Sequence, residues 1–168
     1  MLCPINKYSQ SHFNMISKFI TDIEESFSSV DYPGDQNIAS EDGMEGSEVN
    51  DALRGKLWKD LQYRNVSELS FALIYFKPKA FVYFLPYFII GSIKDDEAAY
   101  GSSCFSILQS FIPPEAKDTD FDARMKLLSK EQLELIQRYL YYLLAIGEQT
   151  ETEIQKAMDY ITKKLEEA

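Results

Sequence analysis

Histidine is almost missing from this sequence: one, His12, occurs in 168 residues. Nucleophilic catalysis by serine or cysteine needs a base beside the nucleophile, most often histidine, and a zinc site needs paired ligands. A lone histidine next to Phe13, where a helical pattern starts, reads as a surface residue. Cysteine is scarce too. Cys3 and Cys104 are too few and too far apart for a disulfide framework, so a reducing compartment is the simpler expectation. The seven glycines form no phosphate-cradling loop and no dinucleotide fingerprint.

Long apolar runs are lacking as well. Residues 80–93, between Lys79 and Lys94, are the longest candidate, and Pro86 and several tyrosines interrupt them. A membrane-spanning helix needs about 17–25 predominantly apolar residues, so a buried core helix is the better reading. Residues 1–7 carry Pro4 and no apolar run of signal-peptide length. A soluble, cytoplasmic protein is expected.

Positive charge is missing over one stretch. No Lys or Arg occurs between Lys18 and Arg54, while ten acids do: Asp22, Glu24, Glu25, Asp31, Asp35, Glu41, Asp42, Glu45, Glu48 and Asp51. The whole chain has 17 basic and 27 acidic residues, a net charge of -10. Nucleic-acid binding is disfavoured, because phosphate contacts need clustered Lys and Arg. A basic protein partner is favoured, since an acidic patch can steer it to its site, although a negative surface also serves solubility alone.

What is present is core material. Apolar residues make up 45% and aromatics 14% of the chain, far from the composition of disorder. At this length one domain is expected over residues 1–168, with a loose N-terminus over 1–8. Phe13, Ile16, Phe19, Ile20, Ile23 and Phe27 fall on one face of a helix over about 9–28. The Pro33-Gly34 turn ends that pattern, and a long acidic loop follows over 31–48. Loops of that length are usually functional or disordered.

Further helices are expected. Leu53, Leu57, Trp58 and Leu61 suggest one over 49–61, and Leu69, Leu73 and Phe76 one over 68–76 capped by Ser67. An almost wholly apolar helix runs over 78–93, with a kink expected at Pro86. Another starts at Ser102 or Ser103 and stops at Pro113-Pro114, before a polar linker to about 122. Ser129 with Gln132 forms a capping-box pattern ahead of a helix that Gly147 ends, and Thr150 with Glu153 repeats the pattern ahead of the last. The chain reads as an all-α, single compact bundle of six or seven helices.

The constellations are sparse in chemistry. No register of 31–51 supplies the acids, glycine and glutamate of a calcium-binding loop, and no metal or cofactor is expected. Asp95, Asp96 and Glu97 read as solvated turn residues. Tyr139, Tyr141 and Tyr142 must point in different directions, and an exposed tyrosine beside acids is usual in a protein-binding face. The candidate partner-binding residues are Asp31, Asp35, Glu41, Asp42, Glu45, Glu48, Asp51, Tyr139 and Tyr142.

Tyr32-Pro33-Gly34-Asp35, Gly55 with Trp58, Pro78, Ala80-Phe81, Tyr83-Phe84-Leu85-Pro86 and Ser129 with Glu131-Gln132 resemble the pattern of a bacterial family of small acidic helical proteins, a domain of unknown function. The resemblance spans about 31–144, and Tyr87 departs from it where alanine often follows the proline. It implies bacterial origin and no catalytic residue. By analogy of class, such proteins are similar to immunity proteins, which neutralise a toxin, often a basic nuclease. The resulting expectation is a non-catalytic immunity or antitoxin-type inhibitor. The alternatives are a structural or regulatory subunit using the tyrosine-rich face and a metal-dependent enzyme using the acidic loop.

Overall fold

The computed structural model describes residues 10–40, 43–94, 102–147 and 150–168, without the side chains of Gln10, His12 and Ser102. Along the chain run α1 (Gln10–Ser26), α2 (Met44–Leu53), α3 (Val66–Leu69), α4 (Ala72–Tyr75), α5 (Pro78–Lys94), α6 (Ser102–Gln109), α7 (Thr119–Leu127), α8 (Lys130–Ile146) and α9 (Glu151–Glu167). Single 3-10 turns stand at Asp35–Asn37, Trp58–Asp60 and Tyr63–Asn65. Among the described residues the extended pairing is one isolated bridge between Ala39 and Phe76. The architecture is all-α.

Helix α5 is the centre. Pro78 suits its first position, where a proline's fixed φ is already helical and its missing N–H would have had no partner. Residues 80–92 are all buried, so a helix apolar all round finds the only environment that suits it. The segments α7, α6, α1 and α3 and the turns at Trp58–Asp60 and Tyr63–Asn65 pack around it. Gly91 lets α3 come close, since a Cβ there would lie 2.8 Å from a methyl of Val66.

Helices α8 and α9 form the outer pair. Ser129 accepts the Gln132 N–H, and the Gln132 side chain accepts the Ser129 N–H at 3.0 Å, which completes the expected capping box. Gly147 ends α8 in the left-handed region at φ 71°. Gln132 also donates to the Ser26 carbonyl at 3.1 Å, tying the start of α8 to the end of α1 across 106 residues.

Several expected boundaries differ. The segment 31–48 is not one structureless loop: it contains the Asp35–Asn37 turn, and α2 already begins at Met44. The helix expected over 49–61 breaks at Gly55, whose φ of 68° no right-handed helix contains, and Trp58 sits in a separate 3-10 turn. The 68–76 helix is two short segments, α3 and α4, and Ser67 does not cap either. Helix α7 stands where a polar linker was expected. Asp118 accepts the N–H groups of Asp120 and Phe121, and only Phe121 and Met125 of this helix are buried, so its apolar signal is weak.

Two local expectations fail for side-chain reasons. Thr150 precedes α9 as expected, but its hydroxyl donates to the Glu153 carboxylate at 2.6 Å instead of capping a backbone N–H. In α1, Phe19, Ile23 and Phe27 are buried, whereas Phe13 is 64% exposed, so the buried part of the expected apolar face begins at Phe19. The loose terminus expected over 1–8, Cys3 and residues 95–97 lie outside the described residues.

Candidate protein-binding face

The segment after α1 is held by a three-way contact among Tyr32, Asp35 and Gly55. The turn expected at Pro33-Gly34 comes one step later, over 34–37, where the Asn37 N–H donates to the Gly34 carbonyl at 2.9 Å, and residues 31–34 lead into it without a turn of their own. The Tyr32 hydroxyl donates to Asp35 at 2.6 Å, and the Gly55 N–H donates to both, at 2.9 and 3.1 Å. The Tyr32 hydroxyl, followed by Gly55 and the charge of Arg54, holds the Asp35 carboxyl below the ordinary aspartate range. Burial and the Asp35 carboxylate push the Tyr32 phenol up. The Tyr32 ring also meets Tyr83 of α5 edge-on at 5.4 Å.

From there the chain is clamped on both sides. The Lys77 N–H donates to the Ile38 carbonyl at 2.9 Å and the Lys77 ammonium to the Gln36 carbonyl at 2.8 Å. Asn50, buried in α2, accepts the Ala39 N–H at 3.0 Å and donates to the Ala39 carbonyl at 3.4 Å. Its amide thus pairs with the backbone as a neighbouring strand would. Gly46 is buried beside it, and a Cβ there would overlap the Ser40 carbonyl oxygen. Helix α2 therefore lies flat on 38–40, with Gly46, Val49, Asn50 and Leu53 inward.

That orientation decides where the acids go. Glu45, Glu48 and Asp51 recur every third residue, run along one side of α2, and are exposed. Asp31 and Asp35 are exposed as well. The described ion pairs join Lys18 and Arg138 to Asp22 and Lys164 to Glu167, and none of these uses an acid of α2. Glu41 and Asp42 lie outside the described residues. Basic residues follow at once, with Arg54, Lys56 and Lys59 exposed beyond the end of α2.

The tyrosine half of the expected face is corrected. Tyr139 is fully buried, its hydroxyl 2.7 Å from that of Ser92 and 3.6 Å from the Cys104 sulfur. Burial holds its phenol far above the ordinary range. Tyr142 is half-buried and stacks on it at 6.1 Å. Tyr141 is the outward one, 54% exposed. Helical phase already carried this signal, because Tyr139 lies three residues after Ile136 and four before Leu143, both buried.

Among the described residues no three His, Cys, Asp or Glu side chains are grouped so that they could hold a metal ion. No described helix is long and apolar enough to cross a membrane. Comparison with known protein families matches residues 15–166 to one described as a family of unknown function, DUF6714. The chain belongs to the DUF6714 family. No curated protein and no solved structure matches this DUF6714 chain. The Tyr32–Asp35–Gly55 contact, the α2 clamp and the capping box of α8 all fall within the part of the chain that DUF6714 covers.

Proposed function

We propose that this protein is a non-catalytic binding protein whose acidic face meets a basic protein partner, in the manner of an immunity or antitoxin-type inhibitor of the bacterial cytoplasm. The observation that supports this reading is the outward side of α2, where Glu45, Glu48 and Asp51 are exposed on a helix whose other side is locked down by Gly46 and Asn50. A helix already held in place loses little backbone entropy on binding, and its row of carboxylates can stand where the phosphates of a partner's substrate would otherwise lie. Asp31 and Asp35 extend the same charge toward α5, and Glu41 and Asp42 belong to the same run of acids in the sequence. The alternative of a subunit joined through a tyrosine-rich face draws less support, since Tyr139 is in the core.

The test is affinity capture from native lysate with the wild-type chain and with a triple variant, Glu45→Lys, Glu48→Lys and Asp51→Lys, at about 50 and 500 mM salt, where screening differs strongly. A basic partner held by the wild type at low salt, and lost both at high salt and in the variant, is expected. Equal capture by the variant would remove α2 from the interface. Self-association as the only product would favour the subunit reading.

A further inference from the structure

A groove of about 400 Å³ lies beside the acidic segment, and three separate parts of the chain make it. Residues 29–33 leaving α1 form one wall, the first turns of α5 supply Lys79 and Val82, and the α7–α8 junction supplies Leu127, Ser129 and Gln132. Its size is within the roughly 300–1,000 Å³ typical of small-molecule sites. The Gln132 side chain bonds the Ser26 carbonyl and the Ser129 N–H, which ties the α8 wall to the end of α1 from which residues 29–33 leave.

The lining has a definite chemistry. Val30, Pro33, Val82 and Leu127 are apolar, and Leu127 is 46% exposed. Asp31 and Lys79 bring one charge of each sign, both exposed, and neither side chain has a partner among the described residues. The Ser129 hydroxyl accepts the Gln132 N–H at 3.2 Å, which leaves its own O–H to donate. A simple anion or cation in this groove would leave one of the two charges partly desolvated and unmatched, at a cost. A ligand carrying both charges matches both.

We propose that the groove binds a small zwitterion with an apolar side chain, a free α-amino acid or a dipeptide. Its carboxylate meets the Lys79 ammonium and its ammonium meets the Asp31 carboxylate, while its side chain covers Val82 and Leu127. Asp31 belongs to both the acidic face and the groove, but Lys79 is absent from the first and Glu45, Glu48 and Asp51 from the second, so Lys79→Met and the α2 triple variant test the two roles separately.

Isothermal titration of the whole chain at low salt tests it, with L-leucine and leucyl-leucine as the two zwitterions. The controls are 4-methylpentanoate, which lacks the amine, and 3-methylbutylamine, which lacks the carboxylate. Saturable binding of at least one zwitterion is expected, with each single-charge analogue weaker by about tenfold or more, as for loss of a charged hydrogen-bond partner. Asp31→Asn and Lys79→Met are each expected to weaken it by about tenfold. Both positions are exposed and make no described side-chain contact of their own, so the fold should survive either change. Preference between leucine and leucyl-leucine separates the two ligand sizes. No binding of either zwitterion, equal binding of a single-charge analogue, or unchanged binding in both variants would overturn the proposal.

Discussion

The Tyr32 hydroxyl stands 2.6 Å from the Asp35 carboxylate, and both accept the same N–H, that of Gly55, 20 or more residues further on. Two side chains three residues apart thereby anchor the exit of α1 to the residue just past the end of α2.

This contact titrates. Tyr32 first, then Gly55 and Arg54, holds the Asp35 carboxyl below its ordinary value, so its folded pKa is depressed relative to the unfolded chain. The stabilisation it brings is present above the unfolded value and is lost as pH falls through the lowered one. Tyr32 runs the other way: its raised pKa favours the neutral phenol, so its share is present below the ordinary tyrosine value and is lost as pH rises through the raised one. Carboxyl-detected NMR titration is expected to show Asp35 below an ordinary aspartate in the wild type and moved back toward it in Tyr32→Phe. An unchanged Asp35 titration would show that the hydroxyl is not its partner.

The seat of α2 makes a second prediction. Alanine is the better helix former than glycine by about 1 kcal/mol, yet at Gly46 the added carbon would meet the Ser40 carbonyl. Backbone cannot move aside as a side chain can, so Gly46→Ala is expected to destabilise by about 1–3 kcal/mol. Asn50→Ala strands the buried N–H and carbonyl of Ala39 and should cost a similar amount, about 1–3 kcal/mol. Urea midpoints measure both. A stabilised Gly46→Ala would show that α2 does not rest on Ser40.

Neighbouring tyrosines should behave in opposite ways. Tyr139→Ala removes a fully buried ring and is expected to cost about 3–5 kcal/mol, whereas Tyr141→Ala, at an exposed position, should stay within about 0.5 kcal/mol. Tyr139→Phe isolates the hydroxyl, which lies beside Ser92 and Cys104, at about 1 kcal/mol. Equal losses at 139 and 141 would mean that α8 is turned differently about its axis.

The features legible in the sequence are those whose cause lies within a turn or two. The apolar length of α5 demanded a central helix, and Pro78 marked its start. Ser129, Gln132 and Gly147 bounded α8 because caps form between residues three or four apart. Phase along α8 pointed Tyr139 inward, although a count of tyrosines alone suggested a binding face. The weakly apolar α7 was hidden because two buried side chains make little periodic signal. One local choice was hidden as well, since no spacing settles whether the Thr150 hydroxyl accepts a backbone N–H as a cap or donates to the Glu153 carboxylate.

Other features depended on partners brought from far away. Gly46 and Asn50 were ordinary helix residues until the clamp at Lys77 placed 38–40 beneath them. That packing turned Glu45, Glu48 and Asp51 outward. Likewise, Asp31, Lys79 and Ser129 line one groove because Gln132 spans 106 residues to Ser26 and α5 packs against α1 and α7. Composition and periodicity determined that this chain is helical and acidic, since both are local or summed properties. Which acids share a face, and which charges share a groove, was decided by tertiary packing, because a side chain's direction depends on what the opposite side of its element is buried against.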